Sequence, residues 1–163
     1  EPPIPGIKGK SVISAVEAFS DASLIKGKCV ILGAGTTGLE LAIYLASLGK
    51  EVRILEKRGS DEAASAAATY AGQLAKYGLA VEYGSEAVEI LPDSVKIRAE
   101  GKEELLPCSA VVTALGLKPL WDEADALRDC AAEFYQVGDC LRPGNLMAAT
   151  GAAWTAARNI GCY

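Results

Sequence analysis

The chain has 163 residues, of which 50% are apolar, and its 16 basic and 21 acidic residues give a net charge of −5. A chain of this length can bury enough surface to fold without a disulfide or a metal. The acidic balance argues against nucleic acid and against an anionic membrane surface as partners. The sequence has no histidine, which excludes Ser-His-Asp triads, Cys-His dyads and His-ligated zinc sites. No apolar run approaches the length of a membrane-spanning helix.

The number and spacing of the cysteines indicate the redox compartment in which the protein is found. None of the five forms a C-x-x-C pair, and their number is odd. We therefore expect free thiols in a reducing, cytoplasmic compartment and no metal site. The sequence begins with Glu1 rather than methionine and has no signal-peptide pattern, so we interpret it as a processed or excised chain. The cysteines are Cys29, Cys108, Cys130, Cys140 and Cys162.

The N-terminal residues predict a linker followed by a short helix. Residues 1–10 are rich in proline and glycine, which is typical of an extended segment. The spacing of Ser14 and Glu17 fits a capping box, in which each side chain bonds to the backbone amide of the other residue. This pattern predicts a helix over about 15–24.

A β-α-β unit follows. The run 28–32 is apolar and ends in glycine, which is typical of a buried parallel strand. It leads into the turn Gly33-Ala34-Gly35-Thr36-Thr37-Gly38, a helix over 39–48 and a second strand over 52–56. Such crossovers are right-handed in almost all proteins.

The spacing of apolar residues changes after this unit. An alanine-rich helix over 63–76 and a third strand over 80–83 precede three short alternating runs, which turn residues separate. This pattern predicts a three-stranded antiparallel meander inserted into an α/β chain. A buried strand over 110–114 returns to the first pattern. The three alternating runs are 86–91, 94–99 and 103–107.

The C-terminal residues form a different pattern. Residues 120–131 are acidic and weakly helical, and a strand over 133–137 runs into Gly138-Asp139. Residues 145–160 predict a helix with small residues on much of its surface.

The glycine turn has the G-x-G-x-x-G spacing of a dinucleotide-binding loop. Its first glycine permits the tight turn, its second allows the backbone to approach a diphosphate, and its third allows the helix to pack on the strand. The amides at the helix start favour the anionic diphosphate, and Thr36 and Thr37 add hydroxyl donors. Because strand, glycines, helix, second strand and terminal acid coincide, we interpret the unit as a dinucleotide-binding site rather than a plain turn.

The end of the second strand bears on which dinucleotide binds. Glu56 stands where an acid accepts hydrogen bonds from the adenosine ribose. A 2′-phosphate beside Glu56 would place two anions together, which favours NAD over NADP. Lys57 and Arg58 follow directly and could neutralise that phosphate, so NADP stays open.

The order of these motifs resembles the flavin-dependent pyridine nucleotide reductases. Within that group the chain is most similar to the reductase half of the 2-enoate and 2,4-dienoyl-CoA reductases and related NADH:flavin oxidoreductases. The resemblance covers essentially the whole chain. It depends on Pro5-Gly6, Gly33–Gly38 with Leu39-Glu40, Glu56, Val111–Gly116 with Pro119, and Val137–Cys140 with Ala156-Ala157-Arg158.

The resemblance implies a split architecture, in which an NAD domain is inserted into an FAD domain. Residues 1–25 would form a linker and short helix, 26–118 the NAD(P)-binding domain, and 119–163 the returning part of the FAD domain. Because the sequence has one G-x-G-x-x-G, we expect the first half of the FAD domain to be missing. The expected fold class is α/β, with a Rossmann-like parallel sheet, the inserted meander and a C-terminal strand-helix remnant of the FAD domain.

The resemblance also implies individual roles. Glu40 would face the nicotinamide and the flavin, and Ala114 and Gly116 would lie beside the nicotinamide end of the cofactor. Gly138 and Asp139 would hold the ribityl chain of FAD in the intact protein. The residues alone also allow plainer interpretations: an exposed helix acid for Glu40 and a strand-ending turn for Gly116.

The implied function is the NAD(P)H-binding module of a flavin-dependent oxidoreductase, which presents a hydride to FAD and is inactive as this chain alone. A non-catalytic NAD-sensing Rossmann domain is the main alternative. It shares the glycine turn and the terminal acid, but it would not be expected to contain the meander or Gly138-Asp139. A methyltransferase fits less well, because Leu32 rather than an acid precedes Gly33.

The C-terminal strand predicts a further contact. Parallel strands are normally covered on both faces, so Phe134, Tyr135 and Val137 need a surface to pack on. That surface could be the NAD domain or a second chain, or the segment could be disordered. We expect self-association through this part of the chain, because an exposed strand edge recruits partners.

Overall fold

Two units make up the chain, Glu1–Leu115 and Gly116–Tyr163. The computed structural model describes residues 2–162. The first unit holds both β-sheets and four of the six α-helices, and the described residues of the second hold the other two helices and no strand.

A parallel five-stranded sheet lies at the centre of the first unit. The four strands predicted for this sheet are all confirmed, each within one residue of its expected ends. A fifth strand at the sheet edge, β1, was not expected. The strands are β1 (Val12–Ser14), β2 (Cys29–Leu32), β3 (Val52–Glu56), β4 (Val81–Tyr83) and β8 (Ala110–Thr113), in the order β1-β8-β2-β3-β4.

The predicted meander forms a second, antiparallel sheet of three strands. Its last turn places Glu100 at φ +50° and Gly101 at φ +76°, as a two-residue hairpin turn of the primed type requires. The strands are β5 (Ser85–Ile90), β6 (Ser94–Ala99) and β7 (Lys102–Pro107).

The helices of the first unit follow the predicted order with two corrections. The capping box forms, since the Ser14 hydroxyl accepts from the Glu17 amide and the Glu17 carboxylate accepts from the Ser14 amide. The first helix nevertheless ends at Ser20, and a 3-10 turn follows. The single alanine-rich helix is two helices broken at Tyr70. The helices are α1 (Ala15–Ser20), α2 (Thr36–Ser47), α3 (Ser60–Thr69) and α4 (Ala71–Lys76).

The main sheet is buried on both faces, so the first unit has three layers. Alternate side chains of a strand point to opposite faces. In β2, Cys29 and Ile31 belong to the core beneath the helices, and Val30 and Leu32 belong to the core beneath the meander. This burial on both sides explains why the strands are continuous apolar runs rather than alternating ones.

The N-terminal segment is packed against the meander rather than extended as a linker. Ile4 and Ile7 contact the core beneath the meander. The Ile90 amide donates to the Pro5 carbonyl at 2.8 Å. A Cβ on Gly6 would lie 1.9 Å from the Ile90 carbonyl oxygen, so only glycine fits this contact. The segment then enters β1, which pairs with β8.

The second unit departs furthest from the predicted structure. The helix predicted over 145–160 forms as α6 (Leu146–Asn159), preceded by the short α5 (Trp121–Asp125). The strand predicted over 133–137 is wrong: Val137 has extended backbone angles, but no strand among residues 2–162 pairs with this segment. No helix within the described residues is both long and apolar enough to cross a membrane.

Candidate functional site

The predicted dinucleotide residues of the first unit meet at one edge of the main sheet. In the parallel register Leu32 of β2 lies beside Leu55 of β3 and Thr113 of β8. The glycine turn, Glu56 and Ala114 each follow one of these positions directly in sequence. Ligands of open α/β sheets bind at this carboxyl edge of the strands.

Two glycines of the turn are fixed by packing, and one faces open space. Gly33 has φ +102°, and a Cβ there would lie 2.7 Å from the Ala114 carbonyl oxygen. A Cβ on Gly38 would lie 2.0 Å from the Gly33 carbonyl oxygen. No heavy atom lies within 4 Å of the position that a Cβ on Gly35 would take. Gly35 therefore leaves room for a ligand to approach the backbone.

The start of α2 is free of side-chain capping. Gly35 occupies the N-cap position and offers no side-chain acceptor, and the first turn contains no acid. Thr36 and Thr37 are exposed. The first amides of a helix need partners from outside the helix, and the helix dipole adds a partial positive charge there. This end of α2 suits an anionic group such as a diphosphate.

The Glu56 side chain is buried, and both of its carboxylate oxygens accept hydrogen bonds. Its Oε2 accepts from the Ala34 amide at 3.0 Å, and its Oε1 accepts from the Arg58 amide at 3.0 Å. The Arg58 guanidinium adds Nε to Oε1 at 2.9 Å and Nη2 to Oε2 at 3.2 Å. Hydrogen bonding from this guanidinium is the main cause that lowers the pKa of Glu56 to about 2, although burial acts the other way. Glu56 is therefore an anion at neutral pH that ties β3 to the glycine turn.

Lys57 and Arg58 both pair with acids of the first unit. Lys57 Nζ lies 2.7 Å from the Glu86 carboxylate, and the Lys57 side chain is 72% exposed. Arg58 pairs with Glu56 while its side chain stays 55% exposed. The sequence did not indicate Glu86 as a partner, because it lies on β5, in the other sheet.

Glu40 lies on the exposed side of α2 and has a partner that the sequence did not predict. The Tyr70 hydroxyl donates to its carboxylate at 2.6 Å. This hydrogen bond raises the pKa of Tyr70. Tyr70 stands between α3 and α4, and a tyrosine interrupting an alanine-rich run was the available signal for it.

Ala114 and Gly116 follow β8. The Ala114 amide donates to the Leu32 carbonyl at 2.9 Å, which holds the chain beside the glycine turn. Gly116, the first residue of the second unit, has φ +95°, a conformation that favours glycine.

Gly138 and Asp139 belong to the second unit. Gly138 has φ +68°, and the Asp139 carboxylate accepts from the Gly144 amide at 3.2 Å. The Asn145 side chain caps α6 by accepting from the Ala148 amide. A cavity of about 360 Å³ is lined by Gly138, Leu141, Arg142, Pro143, Gly144, Asn145, Ala148 and Ala152.

The cysteines are all free thiols, and Cys29 and Cys108 are buried. Burial is the main cause that raises the pKa of Cys29 to about 12, so this thiol is unreactive at neutral pH. Among residues 2–162, no three His, Cys, Asp or Glu side chains are grouped as a metal site would require.

The glycine turn with its strand-ending acid, built on a parallel sheet with an antiparallel insertion, agrees with one family model. The model for "Pyridine nucleotide-disulphide oxidoreductase" matches residues 1–156. The chain belongs to this family.

Two relatives match most of the chain. Bilirubin reductase from Mediterraneibacter gnavus is 32% identical over 143 residues, covering 85% of this chain and 22% of that protein. NADH oxidase from Thermoanaerobacter brockii is 28% identical over 173 residues, covering 98% and 26%. The chain thus spans about a quarter of the length of these relatives.

A solved structure supports the fold over a similar range. The complex of 2-naphthoyl-CoA reductase with 2-naphthoyl-CoA superimposes with a TM-score of 0.85 at 27% identity, covering 96% of this chain and 24% of that one. The α/β fold class predicted from the sequence is confirmed, as is the relation to flavin-dependent pyridine nucleotide oxidoreductases.

Proposed function

We propose that the chain is the NAD(H)-binding module of a flavin-dependent oxidoreductase similar to the 2-enoate and 2,4-dienoyl-CoA reductases. One observation supports this most directly: the buried Glu56 carboxylate is hydrogen-bonded to the amide of Ala34, inside the glycine turn. That bond holds the acid proposed to bind the ribose against the loop proposed to bind the diphosphate.

The residues present fit a dinucleotide. The uncapped start of α2 would hold the diphosphate, with Gly35 giving access and Thr36 and Thr37 adding hydroxyl donors. Glu56 would accept from the adenosine ribose where the Arg58 guanidinium gives way to the ligand, and its negative charge then favours NAD over NADP. A bound nicotinamide would supply the hydride, and the protein's part is to orient it.

The nicotinamide end of the site is assigned to residues after β8 and on α2. Ala114 and Gly116 would border the nicotinamide. Glu40 would face the nicotinamide with acceptor positions to spare, since a carboxylate has about four and the Tyr70 hydroxyl uses one of them at 2.6 Å.

For the second unit we propose a part in a split FAD domain. The boundaries that we propose are 1–25 for the N-terminal linker and helix, 26–118 for the NAD(P) domain and 119–163 for the FAD part. The left-handed Gly138, the Asp139 carboxylate and the adjoining cavity support a role for this segment in holding the ribityl chain of FAD. A hydride acceptor would then lie outside the NAD domain, so this chain by itself would show no turnover.

The free thiols support a reducing, cytoplasmic location. The exposed apolar side chains of α6 support self-association through the second unit when its other partners are absent.

A pair of matched glycine variants tests the binding site. Gly35 and Gly72 both have open space where a Cβ would be, so valine at either position leaves the core intact. Gly35→Val should block the approach of the diphosphate and lower NADH affinity at least tenfold, whereas Gly72→Val in α4 should bind as wild type does. Isothermal titration calorimetry measures both affinities. Amide NMR shifts of Thr36 and Thr37 locate the ligand, and wild-type chain without shifts at millimolar NADH would contradict the proposal.

A further inference from the structure

The exposed carboxylate of Glu40 is held by a tyrosine from outside its own helix. The Tyr70 hydroxyl donates to Glu40 Oε1 at 2.6 Å. The Tyr70 ring packs against the core beneath the helices, and the Tyr70 carbonyl accepts from the amides of Gln73 and Leu74. Because a tyrosine side chain has only two torsions, this packing fixes where the hydroxyl lies. Tyr70 therefore determines the position of the carboxylate, rather than the reverse.

Glu40 shares one side of α2 with the two threonines of the glycine turn. Thr36 and Thr37 precede it at the i−4 and i−3 positions, and all three residues are exposed, whereas the intervening Leu39 is buried. Residues at this spacing are neighbours on the helix surface, and helical side chains lean toward the helix N-terminus. Without the bond to Tyr70, the Glu40 carboxylate would be able to accept from a threonine hydroxyl at the start of α2.

A carboxylate at the start of α2 would oppose the ligand proposed for that place. It would occupy a hydroxyl donor of Thr36 or Thr37, and it would bring a negative charge close to the anionic diphosphate. Like charges a few ångströms apart repel even in water. The affinity for a diphosphate therefore depends on where the Glu40 carboxylate is held.

We propose that Tyr70 is a positioning residue of the dinucleotide site, which holds the Glu40 carboxylate away from the diphosphate-binding start of α2. This inference rests on the proposed function. While the Tyr70 hydroxyl bonds to Oε1, the threonine hydroxyls stay available to the diphosphate. The other acceptor positions of the carboxylate stay available to the ligand.

The competing explanation is that the bond only ties α2 to the junction of α3 and α4. A structural tie supports the site whether or not residue 40 carries a charge, so its loss would weaken binding equally with glutamate or glutamine there. A residue that restrains an anion matters only while the anion is present.

The test is calorimetric titration of the 163-residue chain and its variants with ADP-ribose and NADH. ADP-ribose contains the diphosphate and the adenosine but no nicotinamide, so its affinity does not depend on the nicotinamide contact proposed for Glu40. Tyr70→Phe keeps the ring and should lower ADP-ribose affinity at least about fivefold, because it frees the anion. In the Glu40→Gln background the same substitution should change the affinity by less than about twofold.

Tyr44→Phe is the matched control. Tyr44 lies one turn further along α2, where its ring stacks on Phe19 with the ring centroids 5.9 Å apart. The substitution removes a tyrosine hydroxyl from the same helix and leaves the bond between Tyr70 and Glu40 intact. It should change ADP-ribose affinity by less than about twofold.

Salt dependence separates the two explanations further. Raising the ionic strength from about 0.01 M to about 1 M shortens the Debye length from about 30 Å to about 3 Å. The difference in ADP-ribose affinity between Tyr70→Phe and wild type should then shrink to less than about twofold, because it comes from repulsion between charges. The loss of a structural tie would give the same difference at both ionic strengths.

Equal losses in the two backgrounds, or full ADP-ribose affinity in Tyr70→Phe, would overturn the role of Tyr70 and leave the dinucleotide site standing. A wild-type chain that binds neither ADP-ribose nor NADH would overturn the proposed function and this inference together. Thermal unfolding of each variant reports folding. If Tyr70→Phe does not fold, Tyr70→Leu removes the hydroxyl with a smaller apolar side chain, and the same dependence on Glu40 is expected.

Discussion

Leu39, Leu41 and Leu45 of α2 are fully buried, whereas Leu146, Met147 and Trp154 of α6 are 62–80% exposed. Both helices contain large apolar residues, but α2 packs against the core of a sheet in its own unit, whereas the described residues of the second unit contain no sheet. No described residue of the second unit is buried. The comparison shows that apolar residues predict a helix in both units, but they produce a core only where another element supplies a surface.

Local hydrogen bonds take the place of a core in the second unit. Trp121 Nε1 donates to the Leu141 carbonyl at 2.6 Å, and the Tyr135 hydroxyl donates to the Asn159 carbonyl at 3.1 Å. Such exposed bonds each contribute about 1 kcal/mol. We therefore expect the first unit to determine the stability of the chain, and the following variants test this expectation in order of decreasing effect.

The largest effect is expected from Gly38→Val. Its Cβ would lie 2.0 Å from the backbone oxygen of Gly33, so the turn and α2 cannot keep their present positions. We expect a loss above about 4 kcal/mol in the free energy of unfolding, or no folding. The matched variant Gly151→Val in α6 meets nothing within 4 Å and should stay within about 1 kcal/mol of wild type. Urea unfolding followed by circular dichroism measures the free energy of unfolding of both variants. Equal losses would contradict the expectation that the first unit determines the stability of the chain.

The next effect concerns large side chains. Leu41→Ala removes a fully buried side chain and should cost about 2–5 kcal/mol. Trp154→Ala removes a side chain that is 62% exposed and should change the free energy of unfolding by no more than about 0.5 kcal/mol. Urea unfolding measures the free energy of unfolding of these two variants as well. A larger loss for Trp154→Ala would mean that α6 packs against something in solution, such as a second copy.

Glu56 makes the free energy of unfolding depend on pH. Its pKa falls from 4.5 to about 2 on folding, so the folded state favours the anion and the stabilisation is present above the unfolded pKa. It is lost as the pH falls from about 5 to 2, and the difference between the folded and unfolded pKa of Glu56 corresponds to about 3 kcal/mol of stability. Glu56→Gln should make the free energy of unfolding, measured by urea unfolding at each pH, fall less steeply as the pH is lowered. Glu123→Gln, an exposed charge removed from α5, should leave this fall steep.

The smallest effect on stability is expected from deleting the residues after Pro119. The first unit keeps its core, so its free energy of unfolding should change by less than about 1 kcal/mol. Light scattering should show self-association of the full chain and a monomer for the shortened one. If both are monomers, the second unit does not mediate self-association. If the shortened chain unfolds, the first unit depends on the second and the comparison fails.

Local sequence predicted most of the first unit because its signals are local. The strands are apolar runs, the Ser14 capping box acts across three residues, and Gly33 and Gly38 mark a turn that joins neighbouring elements. The same signals placed the glycine turn and Glu56 at one sheet edge.

The errors arose where distant contacts decide the structure. β1 is only three residues long and forms because β8 lies beside it. Residues 133–137 have strand-like composition, but a strand exists only when another strand pairs with it. The partners Tyr70 of Glu40 and Glu86 of Lys57 come from packing between elements, for which the residues near each acid or cation give no signal.

The position of β1 has a consequence for synthesis of the chain. β8 separates β1 from β2 in the sheet, so β1 leaves the ribosome long before its neighbour and stays unpaired in this sheet until Thr113 has been added. At about 5–20 residues per second, β1 waits roughly 5–20 s while the β2-β3-β4 part of the sheet can already form. The edge beside β2 stays open during that time. A slow codon cluster between β4 and β8 would lengthen this exposure and raise aggregation during translation without changing a single residue of the finished protein.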